Sequence, residues 1–323
     1  MPIPLASELQ GSYGLRARSR QVRVQSGIFF GGRPRYAERH MSFELDLNAY
    51  FARIGDVGPR EPSLANLGRI VEAHARCIPF ENLDILRGRG ISVEPSDIER
   101  KLVYEGRGGY CFEQNGLMEQ VLLALGFAVQ AISARVRIKS PRSLIPARTH
   151  MFLRVCVGGE DWLVDVGVGG LTPNVPLRLL LDTPQETPLE TRRIVAEGGW
   201  SGWEQRSPDA LLYHQAQIAG EWQDVCEFTL EPMYPIDREL GNWYTSTHPA
   251  SKFRSKLTVA RATPQGRITL LNQTLKFRDS SGRAQSRFLN TRAELLEALD
   301  SEFDLQFPAD TVFVCPGLAE LKS

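Results

Sequence analysis

Cysteine is scarce in this chain: 323 residues hold five, Cys77, Cys111, Cys156, Cys226 and Cys315, far apart, odd in number and without a CxxC pair. That spacing excludes a disulfide framework or a zinc ribbon and fits reduced thiols in a cytoplasmic protein. Net charge is lacking too. Lys plus Arg and Asp plus Glu number 38 each, so no global field draws the chain to nucleic acid or an anionic membrane. A small-molecule partner is expected. Apolar runs such as VLLALGF fall well short of the roughly 18 residues a membrane span needs. The body shows no repeat, heptad or low-complexity tract.

Acidic residues are missing from one region. Residues 1–41 set Arg16, Arg18, Arg20, Arg23, Arg33, Arg35 and Arg39 against Glu8 and Glu38 alone. With little helical amphipathicity, they read as a disordered arm or as sequence upstream of a start at Met41 rather than a transit segment.

From 42 to 126 the apolar residues recur at helical spacing. FELDLNAYFARIG puts Phe43, Leu47, Tyr50, Phe51 and Ile54 on one face, with Gly55 as a stop. A second helix opens at Ser63 and carries Leu64, Leu67, Ile70, Val71 and His74. A third follows Pro95, with Ser96 as a cap. A fourth, CFEQNGLMEQVLLALGF, buries Phe112, Leu117, Val121, Leu122 and Leu125, and Gly126 ends it. After Gly126 the period becomes two. AVQAISARVRI, THMFLRVCV, DWLVDVGV, RRIVAEGGWSGWEQ, LLYHQAQI, CEFTLEP, KLTVARAT, GRITLLN, QTLKFRD and SRFLN read as short strands of a barrel or sandwich. TRAELLEALDSEF adds a final helix. The class is α+β.

Cys111 stands out. In RGGYCFEQN it opens the fourth helix behind two glycines, and unpaired N–H groups at a helix start stabilise a thiolate. A thiol nucleophile wants a base, and the base wants an orienting acceptor. His150 and Asp165 lie on the strands THMFLRVCV and DWLVDVGV, joined through Gly158 and Gly159, a favoured two-residue hairpin loop. Closing that loop pairs residues whose numbers sum to 317, so His150 faces Gly167 and Asp165 faces Phe152. His150 and Asp165 then share a face, one diagonal step apart. Asp165, embedded in Leu163-Val164-Asp165-Val166, costs several kcal/mol to bury unless partnered. His74, on an apolar helix stripe, reads as a satisfied core histidine. His214 and His248 have no embedded carboxylate nearby, and His40 belongs to the arm. The other cysteines read as filler.

RGGYCFEQNG, the IPFENLD run at 78–84, RTHMFLRV and WLVDVGVGG, with NWYTSTHPASKF at 242–253, resemble the arylamine N-acetyltransferases in order and spacing over about residues 42–320. The resemblance implies a helical bundle (42–126) bearing the nucleophile and a central β-barrel (127–230) bearing His and Asp. A C-terminal α/β lid (231–323) completes it, around a cysteine-protease-like Cys-His-Asp core of Cys111, His150 and Asp165. It implies ping-pong transfer of acetyl from acetyl-CoA, as co-substrate, to arylamines, arylhydrazines or hydrazides. No metal or tightly bound cofactor is expected, and the oligomeric state stays open. It further implies a Glu81–Arg107 pair anchoring the nucleophile loop. Phe80 and Val168 would wall the acceptor pocket, and Gly167, Gly169 and Gly170 would lie beside CoA. Many relatives carry an aromatic where Val168 stands. A cysteine hydrolase, a transglutaminase-like enzyme or a natural-product amide synthase would use the same three residues.

Overall fold

The computed structural model describes residues 43–197, 210–319 and 321–322. The Arg-rich first forty residues, and the end of the RRIVAEGGWSGWEQ run, lie outside the described residues.

Local signals set the first helices. The Asp46 carboxylate caps α1 (Leu47–Ile54) by accepting the Ala49 N–H at 2.9 Å, and Gly55 stops it with φ 65°. Ser63 caps α2 (Leu64–Cys77) through the Asn66 N–H, and Leu67, Ile70, Val71 and His74 are buried. Leu64, in the first turn, stays exposed. Two short elements follow that carry no sequence signal, β1 (Phe80–Glu81) and α3 (Leu83–Leu86). Ser96 does not cap α4 (Pro95–Glu99): Pro95 takes the first helical position, which moves the cap to Glu94. The helix then widens into a π turn at Arg100–Tyr104. Next comes α5 (Cys111–Ala124), followed by Gly126 at φ 85°.

A seven-stranded antiparallel sheet comes next: β2 (Ala128–Val136), β3 (His150–Val157), β4 (Glu160–Val164), β5 (Leu177–Arg178), β6 (Arg192–Ala196), β7 (Leu212–Ile218) and β8 (Glu221–Pro232). Its order is β5-β4-β3-β2-β8-β7-β6. The two ends meet where Leu181 bridges Ile194 and the Asp182 N–H donates to the Ile194 carbonyl at 2.8 Å, so the sheet curls into a barrel. Strand β3 is buried on both faces. Met151, Leu153 and Val155 join the core beneath α5, while Phe152 packs with Ile132, Leu163, Ile194 and Phe228 inside the barrel. Helix α5 is buried on nearly every side from Cys111 to Met118 because it is sandwiched between this strand and the other helices, so Leu125, at its end, is less covered than its spacing suggests.

The remaining elements are α6 (Pro235–Thr247), α7 (Lys252–Ser255), β9 (Thr258–Thr263), β10 (Gly266–Leu271), β11 (Thr274–Asp279), β12 (Ala284–Phe288) and α8 (Arg292–Phe303). Their sheet, β1-β9-β10-β11-β12, takes its edge strand from far upstream, pairing Phe80 with Ala260 and Glu81 with Val259. Leu257, Val259, Leu270, Leu299 and Phe303 form its core with Leu83 and Leu86 of α3. The fold is α+β, a helical bundle followed by a barrel and an α/β part. No helix among the described residues is long and apolar enough to cross a membrane.

Candidate active site

Cys111 is the first residue of α5, and the two glycines before it are there for close approach. Neither has positive φ. A Cβ at Gly108 would collide with the Pro79 carbonyl oxygen, and one at Gly109 would stand 2.8 Å from the Glu113 side chain. The segment is thereby pressed against β1, with the Glu81 N–H donating to the Gly109 carbonyl at 3.0 Å. The Cys111 sulfur lies 3.5 Å from the Thr149 carbonyl oxygen, at the entry to β3.

The hairpin register agrees with the spacing argument. Pairs from Leu153–Val164 to Val157–Glu160 each sum to 317 across Gly158 and Gly159, whose φ values are 63° and 81°. The ladder ends at Val164, so His150–Gly167 and Asp165–Phe152 lie beyond it and are not ladder pairs. His150 and Asp165 still project to the same, barrel-lining side, and His150 Nε2 meets Asp165 Oδ2 at 2.8 Å. Both are 1% exposed, which removes water as a competing partner. The other carboxylate oxygen accepts the Gly167 N–H at 2.9 Å and Asn115 Nδ2 at 3.0 Å.

Burial works against a charged imidazole, but the adjacent Asp165 carboxylate and the Cys111 sulfur outweigh it and lift His150 to about 10. Burial likewise opposes the Asp165 carboxylate, and His150 with its hydrogen-bond donors holds it below its ordinary value. The directions of the two shifts make the pair an imidazolium and a carboxylate.

The other histidines are occupied. His74 sits between the Tyr50 hydroxyl at 3.0 Å and Gln114 Oε1 at 2.6 Å, and burial pushes it down to about 4. His214 Nε2 accepts Arg192 Nη1 at 2.9 Å; burial and that guanidinium push it down to about 3. His248 stacks on Tyr244, and His40 lies outside the described residues. Cys226 is more than filler: its sulfur lies within 4.8 Å of ligand atoms of both His150 and Asp165, and burial raises its thiol well above the ordinary value.

Glu81 and Arg107 meet at 2.6 Å, and Arg107 also reaches Asp84 at 3.2 Å. A cleft of about 220 Å³ opens beside Cys111 and His150, bordered by Phe80, Val136, Gly167, Val168 and Lys252. Gly167 closes onto the nucleophile, since a Cβ there would stand 2.7 Å from Cys111 Cα. Gly169 and Gly170 are not among the cleft's lining residues: Gly169 backs onto Phe80 and Gly170 onto Thr269. Sequence reasoning missed Asn115 and Lys252. Asn115 had a signal, a position at i+4 from Cys111 that puts it on the nucleophile's face of the helix.

A family described as N-acetyltransferase matches residues 63–312. The arylamine N-acetyltransferase of Mycolicibacterium smegmatis is 41% identical over 265 residues, which cover 81% of this chain and 92% of that one. The chain belongs to the arylamine N-acetyltransferase family. The Escherichia coli member is 37% identical over 260 residues, 80% of this chain and 88% of its own. The solved Mycobacterium tuberculosis enzyme superposes with a TM-score of 0.74 at 39% identity, covering 80% of this chain and 93% of that one. The Mycobacterium marinum enzyme in complex with CoA gives 0.73 at 36% identity, with 80% and 92% covered. As an arylamine N-acetyltransferase the chain is an acyltransferase by class.

Proposed function

We propose that this chain moves acetyl from acetyl-CoA to the nitrogen of arylamines, arylhydrazines or hydrazides in two half-reactions through S-acetyl-Cys111. The carrying observation is the buried 2.8 Å contact of His150 with Asp165, on a ring that lines the same cleft as Cys111. In the first half-reaction the Cys111 proton rests on His150 and the sulfur attacks the thioester carbonyl. N–H groups at the start of α5 face the developing oxyanion. The C–S bond to CoA breaks, and His150 returns a proton to the departing CoA thiolate. In the second, the amine nitrogen attacks the acetyl-cysteine, His150 takes the nitrogen's proton, and the amide leaves with Cys111 again a thiolate. An arylamine suits this order because its low basicity leaves it unprotonated at neutral pH.

Phe80 and Val168 form the acceptor wall in this reading, with Gly167 at the acyl position and Lys252 as a cationic neighbour for CoA. The M. marinum complex, a relative that holds CoA, supports the donor. Mass spectrometry after incubation with acetyl-CoA alone should show one acetyl group on Cys111, and a panel of aromatic amines and hydrazines should discharge it. An unmodified Cys111, or continued turnover by Cys111→Ala, would overturn this reading, and cleavage of an amide by the wild type without CoA would replace it with cysteine-hydrolase chemistry.

A further inference from the structure

Behind the nucleophile lies a buried set of charges of which the Glu81–Arg107 pair is only part. Lys101, in the π turn, donates from Nζ to Glu113 Oε1 at 2.7 Å and lies 3.0 Å from Asp84 Oδ2. Its backbone carbonyl accepts the Arg107 N–H at 3.1 Å. Glu113 Oε2 accepts the N–H of Tyr110, the residue directly before Cys111, at 3.0 Å. Tyr110 has no short polar side chain with which to cap α5, so Glu113 supplies the reciprocal bond that fixes the helix start. Gly109 lies flat against the same carboxylate.

We infer that Lys101 is a positioning residue for the nucleophile, acting through Glu113 to hold the 109–110 backbone that aims Cys111 at His150. The inference rests on the reading of Cys111 given above. Three acids, Glu81, Asp84 and Glu113, face Lys101 and Arg107, each of which is shared between two of them, while Arg87 reaches Asp84 from the outer side at 3.5 Å. Glu113 is 1% exposed, and its neighbours are Lys101, Glu81 and Tyr110. Burial pushes its carboxyl up, and Lys101 is the group that chiefly opposes this. On the other side of the turn Cys111 meets His150, and beyond it Asp165, Cys226 and Tyr110. Losing Lys101 leaves a buried carboxylate without its cation, which is far more damaging than losing both charges together.

The test is the rate at which Cys111 is alkylated by iodoacetamide from pH 5 to 9, followed by mass spectrometry, in wild type, Lys101→Met, Glu113→Gln and the double variant. Lys101→Met should slow the reaction by about tenfold near neutrality and add an ionisation above the ordinary carboxylate range, from the stranded Glu113. The double variant, in which the introduced amide oxygen can still accept the Tyr110 N–H, should recover to within about threefold of wild type and lose that ionisation. A purely structural role would leave the double variant at least as slow as the worse single one. A wild-type rate and profile in Lys101→Met, or a folded double variant no faster than the slower single variant, overturns the inference. Should Lys101→Met not fold, the double variant and Lys101→Arg decide the question, since both must be folded and reactive. If wild-type Cys111 takes no acetyl from acetyl-CoA, the functional reading fails, whereas the alkylation series still reads the turn.

Discussion

Asn115 stands one helical turn beyond Cys111, and its Nδ2 donates to the Asp165 carboxylate at 3.0 Å. The same amide donates to the Met151 carbonyl at 2.7 Å and accepts the Val166 N–H at 3.0 Å. One face of α5 therefore carries the sulfur and also the group that fixes the far end of the proton-holding pair, so the helix ties the nucleophile to the hairpin that bears His150 and Asp165.

Replacing Asn115 by Ala should take a partner from the Val166 N–H, the Met151 carbonyl and the Asp165 carboxylate, which keeps the Gly167 N–H; a buried group left unsatisfied costs about 1–3 kcal/mol. Turnover should fall along with the melting temperature. Asn115→Asp should be worse for activity, because a second carboxylate beside Asp165 disfavours both ionised forms. Thermal melts and steady-state kinetics on the two variants check this; wild-type turnover in Asn115→Ala would remove Asn115 from the site.

The His150–Asp165 pair fixes a pH window. His150 is raised, so its contribution to stability is complete below its unfolded value near 6.5 and is lost as pH climbs through about 10. Asp165 is lowered, so its contribution is complete above about 3.9 and is lost as pH falls. The destabilisation caused by Asp165→Asn should therefore be greatest between about pH 4 and 6.5 and should shrink toward pH 10. Chemical denaturation of both proteins across that range measures the difference, and a gap that widens with rising pH would contradict the assigned charges.

Glu81→Gln should lower activity and stability together, because Glu81 Oε1 holds Arg107 while Oε2 accepts the Leu83 N–H at 2.6 Å. Arg107→Met should be more severe, costing about 3–5 kcal/mol, since it strips the buried Glu81 carboxylate of its cation and takes one of three cations from Asp84, which keeps Lys101 and Arg87. Urea titrations that rank the two variants in the opposite order would count against this anchoring.

The hairpin was legible because it is local: two glycines fix the loop, and a loop fixes every pair on both strands. The start of α2 at Ser63 follows from the same short-range chemistry, whereas the Asp46 cap went unread and leaves Phe43 ahead of α1. Elements that depend on distant partners were hidden. Two-residue β1 exists only because β9 lies beside it, and nothing in IPFENLD announces that partner. Helix α6 is masked by Gly241, which sits mid-helix because a Cβ there would stand 2.6 Å from Phe112 Cζ. Its one clear signal was Pro235 at the first helical position, with Asp237 accepting the Tyr234 N–H. The Lys101–Glu113 contact spans 12 residues between two helical segments, and no periodicity could reveal it.

On the proposed two-step mechanism, a substitution at Val168 should separate the two half-reactions. Val168 is buried and lines the cleft together with Cys111 and Phe80. An acetyl group on the sulfur is small, while an aromatic ring entering the same space of about 220 Å³ must slide past this position. Val168→Phe should therefore leave acetylation of Cys111 by acetyl-CoA within about threefold of wild type while lowering kcat/KM for bulky arylamines by about tenfold or more, with compact hydrazides less affected. A rapid-quench measurement of acetyl-Cys111 formation, set beside its discharge by a small hydrazide and a two-ring amine, separates the effects. If formation and both discharges fall by the same factor, Val168 acts on the geometry of the nucleophile and not on the acceptor, and Phe80 alone remains as the wall of that pocket.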